Sequence, residues 1–262
     1  MDLGIKGKRA IVTGGSRGIG RACALALARE GARVCVTARD EKLLAEAVKE
    51  INKAGGEGMS VSADLTSLDE CKKVVKTCAD KFGGVDILIN VAGAATGGDV
   101  LELSTEHIDD ALGLKTYGYL RLSQLAIPHM KKNRWGRIVN IAGGAGASPA
   151  RGNIPTSLAN ITVLNITRAL SDAVAGDGIL VNTICPGMTN TQRARDLLQG
   201  QAKKEGKDVE EILKARGRAV PAGRIAEPEE IAAMACFLAS AACTFVHGSS
   251  IYMDGGGRRG TP

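Results

Sequence analysis

The chain has 262 residues, a formal net charge of +6, 44% hydrophobic and 3% aromatic residues, and 34 glycines. That length suits one α/β unit, the apolar fraction supplies a large core of Ala, Val, Ile and Leu, and so much glycine marks tight turns and close backbone approaches. Basic residues run no further than pairs such as Lys8-Arg9, Lys131-Lys132 and Arg258-Arg259, whereas a nucleic-acid surface needs a dense cluster, so no nucleic-acid partner is expected.

The seven cysteines contain no CxxC spacing and several lie in apolar runs, the pattern of reduced, buried thiols. The three histidines are far apart in sequence, and no metal site is expected. No stretch reaches the ~18 apolar residues that span a bilayer, and the first seven residues hold no apolar signal core. No membrane is expected, and the cytoplasm is the expected location.

Short apolar runs alternate with amphipathic stretches. Strands are expected at 9–13, 33–37, 58–63, 85–90, 136–141, 179–184 and 250–253, from β-branched residues bounded by glycines. Helices are expected at 20–30, 41–54, 68–82, 157–175 and 227–239, with one long helix or a bent pair over 105–130. Pro228 suits a first helical turn. Strands alternating with helices imply βαβ units, and continuously apolar strands imply a sheet covered on both faces. The expected fold is therefore α/β, a Rossmann-type doubly wound parallel sheet of about seven strands with helices on both faces. One domain is expected over 1–262. The polar, charged segment 187–223 is expected to be an insertion over the ligand crevice, a lid.

The first strand runs into Thr13-Gly14-Gly15-Ser16-Arg17-Gly18-Ile19-Gly20 and then a helix. Glycines let backbone approach a pyrophosphate, and the helix N-terminus offers unpaired N–H groups. The spacing is GxxxGxG rather than GxGxxG. A Gly-rich turn that only packs helix on sheet is the plainer alternative, with an empty pocket.

With this loop, Asp64 after the third strand, Asn90-Val91-Ala92-Gly93 after the fourth, Cys185-Pro186-Gly187 with Thr191, and the tail Met253-Asp254-Gly255-Gly256, the chain resembles the short-chain dehydrogenase/reductase family over almost its whole length. The resemblance implies a dinucleotide site at Gly14, Ser16, Arg17, Gly18, Ile19, Gly20, Arg39, Asp64, Leu65, Asn90, Ala92, Gly93, Pro186, Gly187 and Thr191. At the end of the second strand stand Ala38 and Arg39 rather than a carboxylate, and Arg17 lies in the loop. Two arginines suit a 2′-phosphate, so NADP(H) is expected over NAD(H) if a cofactor binds.

The family's chemistry uses a Tyr, a Lys four residues on, a Ser thirteen residues before the Tyr, and an Asn on the preceding long helix. The corresponding positions hold Thr156, Asn160, Gly143 and Lys115. An aliphatic hydroxyl is a far weaker acid than a phenol, and Asn carries no charge, so no catalytic residue is assigned at those four positions. The leading expectation is a catalytically silent subunit, the partner in a hetero-oligomer of an active alcohol or 3-hydroxyacyl-CoA-type dehydrogenase relative, or else a homo-oligomer. An enzyme with relocated or non-redox chemistry (reductase, lyase, isomerase or dehydratase) stays open, as does an NADP(H)-sensing module. For a relocated site, Lys115 and Tyr119, four apart on one helix face, are the candidate acid/base pair.

Overall fold

A computed structural model of the chain describes residues 2–93 and 97–258. Seven parallel strands form one sheet in the order β3-β2-β1-β4-β5-β6-β7. They are β1 (Arg9–Thr13), β2 (Arg33–Ala38), β3 (Glu57–Ser62), β4 (Ile87–Asn90), β5 (Gly136–Ile141), β6 (Ile179–Pro186) and β7 (Ser250–Met253). The doubly wound sheet expected from the sequence is the observed one.

Successive residues of a strand point to opposite faces, and the core divides accordingly. Ala10 and Val12 face one cluster with Leu27 of α1 (Gly18–Arg29), Leu44 of α2 (Glu41–Lys53) and Ala235 of α9 (Pro228–Leu238). Ile11 and Leu88 face the other cluster, with Val74 of α3 (Leu68–Phe82), Leu122 of α5 (Gly118–Asn133) and Val174 of α6 (Ile154–Val174). All seven cysteines are free and buried, six in these two layers and Cys185 in a small cluster with Tyr119, Ala142 and Val163. Local chemistry starts the helices: Asp40 caps α2 through the Lys42 and Leu43 amides, and Glu227 and Glu230 form a capping box at α9 with Pro228 in its first turn.

One helix boundary shifts, and two segments gain detail. The 105–130 segment is a helix α4 (Thr105–Leu112), a single π-helical turn over Gly113–Tyr117, and then α5; apolar spacing does not report one inserted residue. Helix α6 starts at Ile154, three residues early, because Pro155 fits a helix's first turn. Within 187–223 the structure resolves two helices, α7 (Gln192–Glu205) and α8 (Val209–Arg218), around their own small core of Leu198, Ile212 and Leu213. No helix among the described residues is long and apolar enough to cross a membrane.

Two buried polar features tie the strands. At the amino ends of β1 and β4, Asp86 accepts from the Arg9 amide (3.0 Å), Nε (2.7 Å) and Nη2 (2.6 Å), and from Asn133 Nδ2 (3.2 Å). Burial pushes its carboxyl up, but the bonds from Arg9 outweigh that and hold it below the usual range. Asp86→Ala is expected to cost about 3 kcal/mol, because Arg9 keeps its charge in a half-buried place without a counterion. Urea denaturation at pH 7 measures this, and a loss under about 1 kcal/mol contradicts it. Across the carboxyl ends, Asn90 Nδ2 donates to Asn140 Oδ1 (2.9 Å), Asn140 Nδ2 donates to Thr167 Oγ1 (2.9 Å), and Thr167 and Thr183 share a hydroxyl bond (2.6 Å).

Candidate active site

After β1 the chain goes outward to β2 and β3 and then crosses back to β4, so strand order reverses between β1 and β4, and a crevice opens at their carboxyl ends. The Gly-rich loop sits there. Gly14 and Gly18 adopt positive φ. A Cβ on Gly20 would collide with the Gly14 carbonyl, and one on Gly14 would stand 3.2 Å from Ala92 Cα. Arg17 is the N-cap of α1 but supplies no side-chain cap, so the first N–H groups of that helix keep their capacity for an anion. Thr13 Oγ1 accepts from the Val91 and Ala92 amides, at 2.8 and 3.0 Å, and fastens the loop to the end of β4. In the sequence, Thr13 is marked only as the residue that ends a buried strand.

At the carboxyl ends of β2 and β3, a cleft of about 520 Å³ is lined by Arg39, Ser62, Asp64 and Lys73. Asp64 is held below the usual carboxylate range by the Thr66 amide and hydroxyl, with the Arg39 charge adding. Lys73, unmarked in the sequence, donates to Ser62 O and Glu70. Leu65 is buried, and α5 begins against its carbonyl at Gly118. The Asn90 side chain points into the buried seam rather than the crevice.

The opposite wall comes from the segment after β6. Gly187 packs against Asp254, and Thr191 caps α7 through the Ala194 amide. The Thr191 methyl lies 3.4 Å from where a Gly18 Cβ would be, so this segment touches the phosphate loop. The Arg193 guanidinium on α7 is near enough for its charge to act on both Arg17 and Lys115.

Deeper in, Lys115 lies on the π turn and donates from Nζ to Ala142 O at 3.1 Å. The turn's extra residue rotates it out of the α4 register, a device often found at functional sites. Burial lowers its ammonium to about 8, with the Cys185 thiol opposing and Arg193 assisting. Gly143 follows Ala142 in extended backbone, and its would-be Cβ is 2.9 Å from Asn160 Nδ2. Asn160 is 3% exposed, and its Oδ1 has no partner. Thr156 is half-buried one turn earlier on α6. Lys115, Gly143, Thr156 and Asn160 thus gather at one place.

Tyr119 does not join them. Its hydroxyl donates to Ile141 O at 3.1 Å, it is 1% exposed, and burial holds its phenol well above the ordinary range. An acid/base group must reach substrate, so Tyr119 is set aside as the partner of Lys115 in a relocated site. Tyr119→Phe is expected to cost about 1 kcal/mol of stability and to leave turnover unchanged. A fall in turnover beyond tenfold at matched folding would reinstate the pair.

A family model described as Enoyl-(Acyl carrier protein) reductase matches residues 14–257. The chain is 34% identical over 254 residues to a 3-oxoacyl-[acyl-carrier-protein] reductase of Vibrio cholerae, covering 97% of this chain and 98% of that one. It is 32% identical over 260 residues to a D-beta-hydroxybutyrate dehydrogenase of Cupriavidus necator, covering 96% and 98%. The structure superposes on L-sorbose reductase from Gluconobacter frateurii, solved with NADPH and L-sorbose, with a TM-score of 0.95 at 30% identity over all of both chains. It superposes on actinorhodin polyketide ketoreductase with NADPH at 0.91, with 32% identity over 96% and 98%. The expectation of a catalytically silent subunit is corrected by these relatives: each is named for a reductase or dehydrogenase activity, and nothing in them points to a silent partner.

Proposed function

The chain belongs to the short-chain dehydrogenase/reductase family, and from that premise we propose that it is an active NADP(H)-dependent carbonyl reductase whose proton donor has moved to Lys115. The observation that carries this reading is the lysine itself, set on a π turn, bonded to Ala142 O and lowered by burial to about 8 beside Gly143 and Asn160. The family resemblance puts Lys115, Gly143, Thr156 and Asn160 at the positions of the family's Asn, Ser, Tyr and Lys, and on this reading the usual phenol acid is replaced.

The residues fit a dinucleotide. The cradle at Gly14, Ser16, Gly18, Ile19 and Gly20 admits a pyrophosphate, with Arg17 over the open end of α1. Arg39 receives a 2′-phosphate, with Lys73 nearby and Asp64 and Leu65 beside the adenine. Ala92, Gly93, Pro186, Gly187 and Thr191 flank the nicotinamide end. Bound there, NADPH supplies a hydride. Lys115 holds the proton that the carbonyl oxygen takes up, then recovers it from solvent. Thr156 gives a positioning hydroxyl. The chain acts as one unit with 187–223 as its lid. Copies pair through α4, α5 and α6, where Tyr117 and Leu158 are exposed apolar surface, and through the C-terminal region, where Phe245 is fully exposed.

Purified protein is expected to oxidise NADPH, followed at 340 nm, with at least one member of a panel of ketones and aldehydes. No turnover across the panel at saturating NADPH sinks the reading. Wild type is expected to bind NADPH at least tenfold more tightly than NADH, and Arg39→Asp to reverse that order. Tighter NADH binding by wild type contradicts the cofactor assignment.

A further inference from the structure

The carboxyl end of β7 presents a cation that the reaction above leaves unused. After Met253 the chain turns through Gly255 and Gly256, both at positive φ. A Cβ on Gly255 would lie 2.9 Å from Ala222 Cβ, and one on Gly256 3.2 Å from Pro221 Cγ. Asp254 accepts from the Gly256 and Arg258 amides at 3.0 and 2.9 Å and is itself packed on Gly187. This tight turn fixes Arg258, whose guanidinium stacks on the Tyr252 ring, 4.3 Å from its centre. Among the described residues, that half-buried guanidinium makes no hydrogen bond or ion pair.

The place of its ring partner is set by the sheet. Tyr252 pairs in register with Cys185, and both pack with Tyr119, Ala142 and Val163. Lys115 bonds the Ala142 carbonyl. Lys115, through the Ala142 carbonyl, and Arg258, through the Tyr252 ring, thus border the same small cluster at the ends of β6 and β7, and the charges of both act on its Cys185 thiol. A guanidinium held flat on a ring, with its N–H fork unpaired, is a preorganised receptor for a planar carboxylate.

We infer that the substrate is a keto acid, with its carbonyl at Lys115 and its carboxylate on the fork of Arg258. This names the substrate class of the reductase proposed above and rests on that reading.

The test compares NADPH-dependent reduction of acetoacetate with that of methyl acetoacetate by wild type, Arg258→Met and Arg258→Lys. Wild type is expected to favour the acid. Arg258→Met is expected to raise KM for the acid about 10- to 100-fold with kcat and the ester's KM unchanged, and Arg258→Lys to fall between. Equal efficiency with acid and ester, or an Arg258→Met enzyme that keeps the wild-type KM, overturns the inference and leaves the reductase standing. If no carbonyl compound turns over, an NMR titration of the NADP-loaded protein with acetoacetate decides separately. Binding lost in Arg258→Met supports the carboxylate site, and binding absent or indifferent to that change refutes it.

Discussion

Lys115→Met is expected to remove turnover and stabilise the fold at once. A positioned general acid contributes about 10²- to 10⁴-fold in rate, and turnover should fall by that much. The stability change has the opposite sign because burying an ammonium is unfavourable. Lys115 sits at about 8 in the folded protein, against 10.5 for a free lysine. Below pH 8 both states carry the proton, and the folded state bears the full penalty. Between pH 8 and 10.5 the folded lysine sheds its proton first and the penalty fades. Methionine, of similar length and apolar, avoids it. The variant is expected to gain about 1–2 kcal/mol at pH 7, a gain discounted for the group's partial exposure to the crevice, and nothing by pH 11. Wild-type kcat/KM for reduction should hold level below pH 8 and fall tenfold per unit above it. Urea titrations at pH 7 and pH 10.5, with a pH–rate profile, test both halves. A variant that keeps its activity, or loses stability at pH 7, contradicts the assignment.

The second large effect is expected at Gly20→Ala. The added methyl would meet the Gly14 carbonyl, a backbone atom that cannot swing aside, and Gly14 is wedged in turn against Ala92 and lies in a positive-φ conformation. Relief requires the loop to lift off the start of α1. Overpacking of this kind costs about 2 kcal/mol or more, and the loop that receives the pyrophosphate is the part displaced. NADPH affinity, followed by fluorescence, should drop at least 100-fold. Wild-type affinity would show that the loop does not cradle the cofactor.

The fold was legible because its signals are local and repeated. Buried parallel strands such as Arg33–Ala38 read as apolar runs, and the glycines after Arg29 and Lys53 end their helices. The phosphate loop was legible because steric need at Gly14 and Gly20 leaves no other residue there. The gathering of Lys115, Gly143, Thr156 and Asn160 was inferred by position within a family pattern, and the structure brings them together. What their substitution means for activity was misjudged. The sequence places Thr156 where the family pattern has a phenol, but it does not show that Lys115 lies on a π turn beside Gly143 and Asn160, the arrangement on which the proposed lysine acid rests. Tyr119 and Arg258 were opaque for a related reason. Four-residue spacing put Tyr119 beside Lys115, but spacing does not show that its hydroxyl is buried and engaged by the Ile141 carbonyl. Arg258 gains its partner Tyr252 only through the turn at Gly255.

The seam of Asn90, Asn140, Thr167 and Thr183 has a further consequence, for how the sheet assembles. Parallel strands such as Ile87–Asn90 and Gly136–Ile141 are buried throughout and largely apolar, so the hydrophobic effect discriminates weakly against sliding one past the other by two residues. The seam removes that degeneracy. In a slipped sheet each amide and hydroxyl would face hydrocarbon, at about 1–3 kcal/mol apiece. The four side chains thus act as a proofreading key, making the correct alignment of β4, β5 and β6 distinguishable from near-copies that the hydrophobic effect alone would accept.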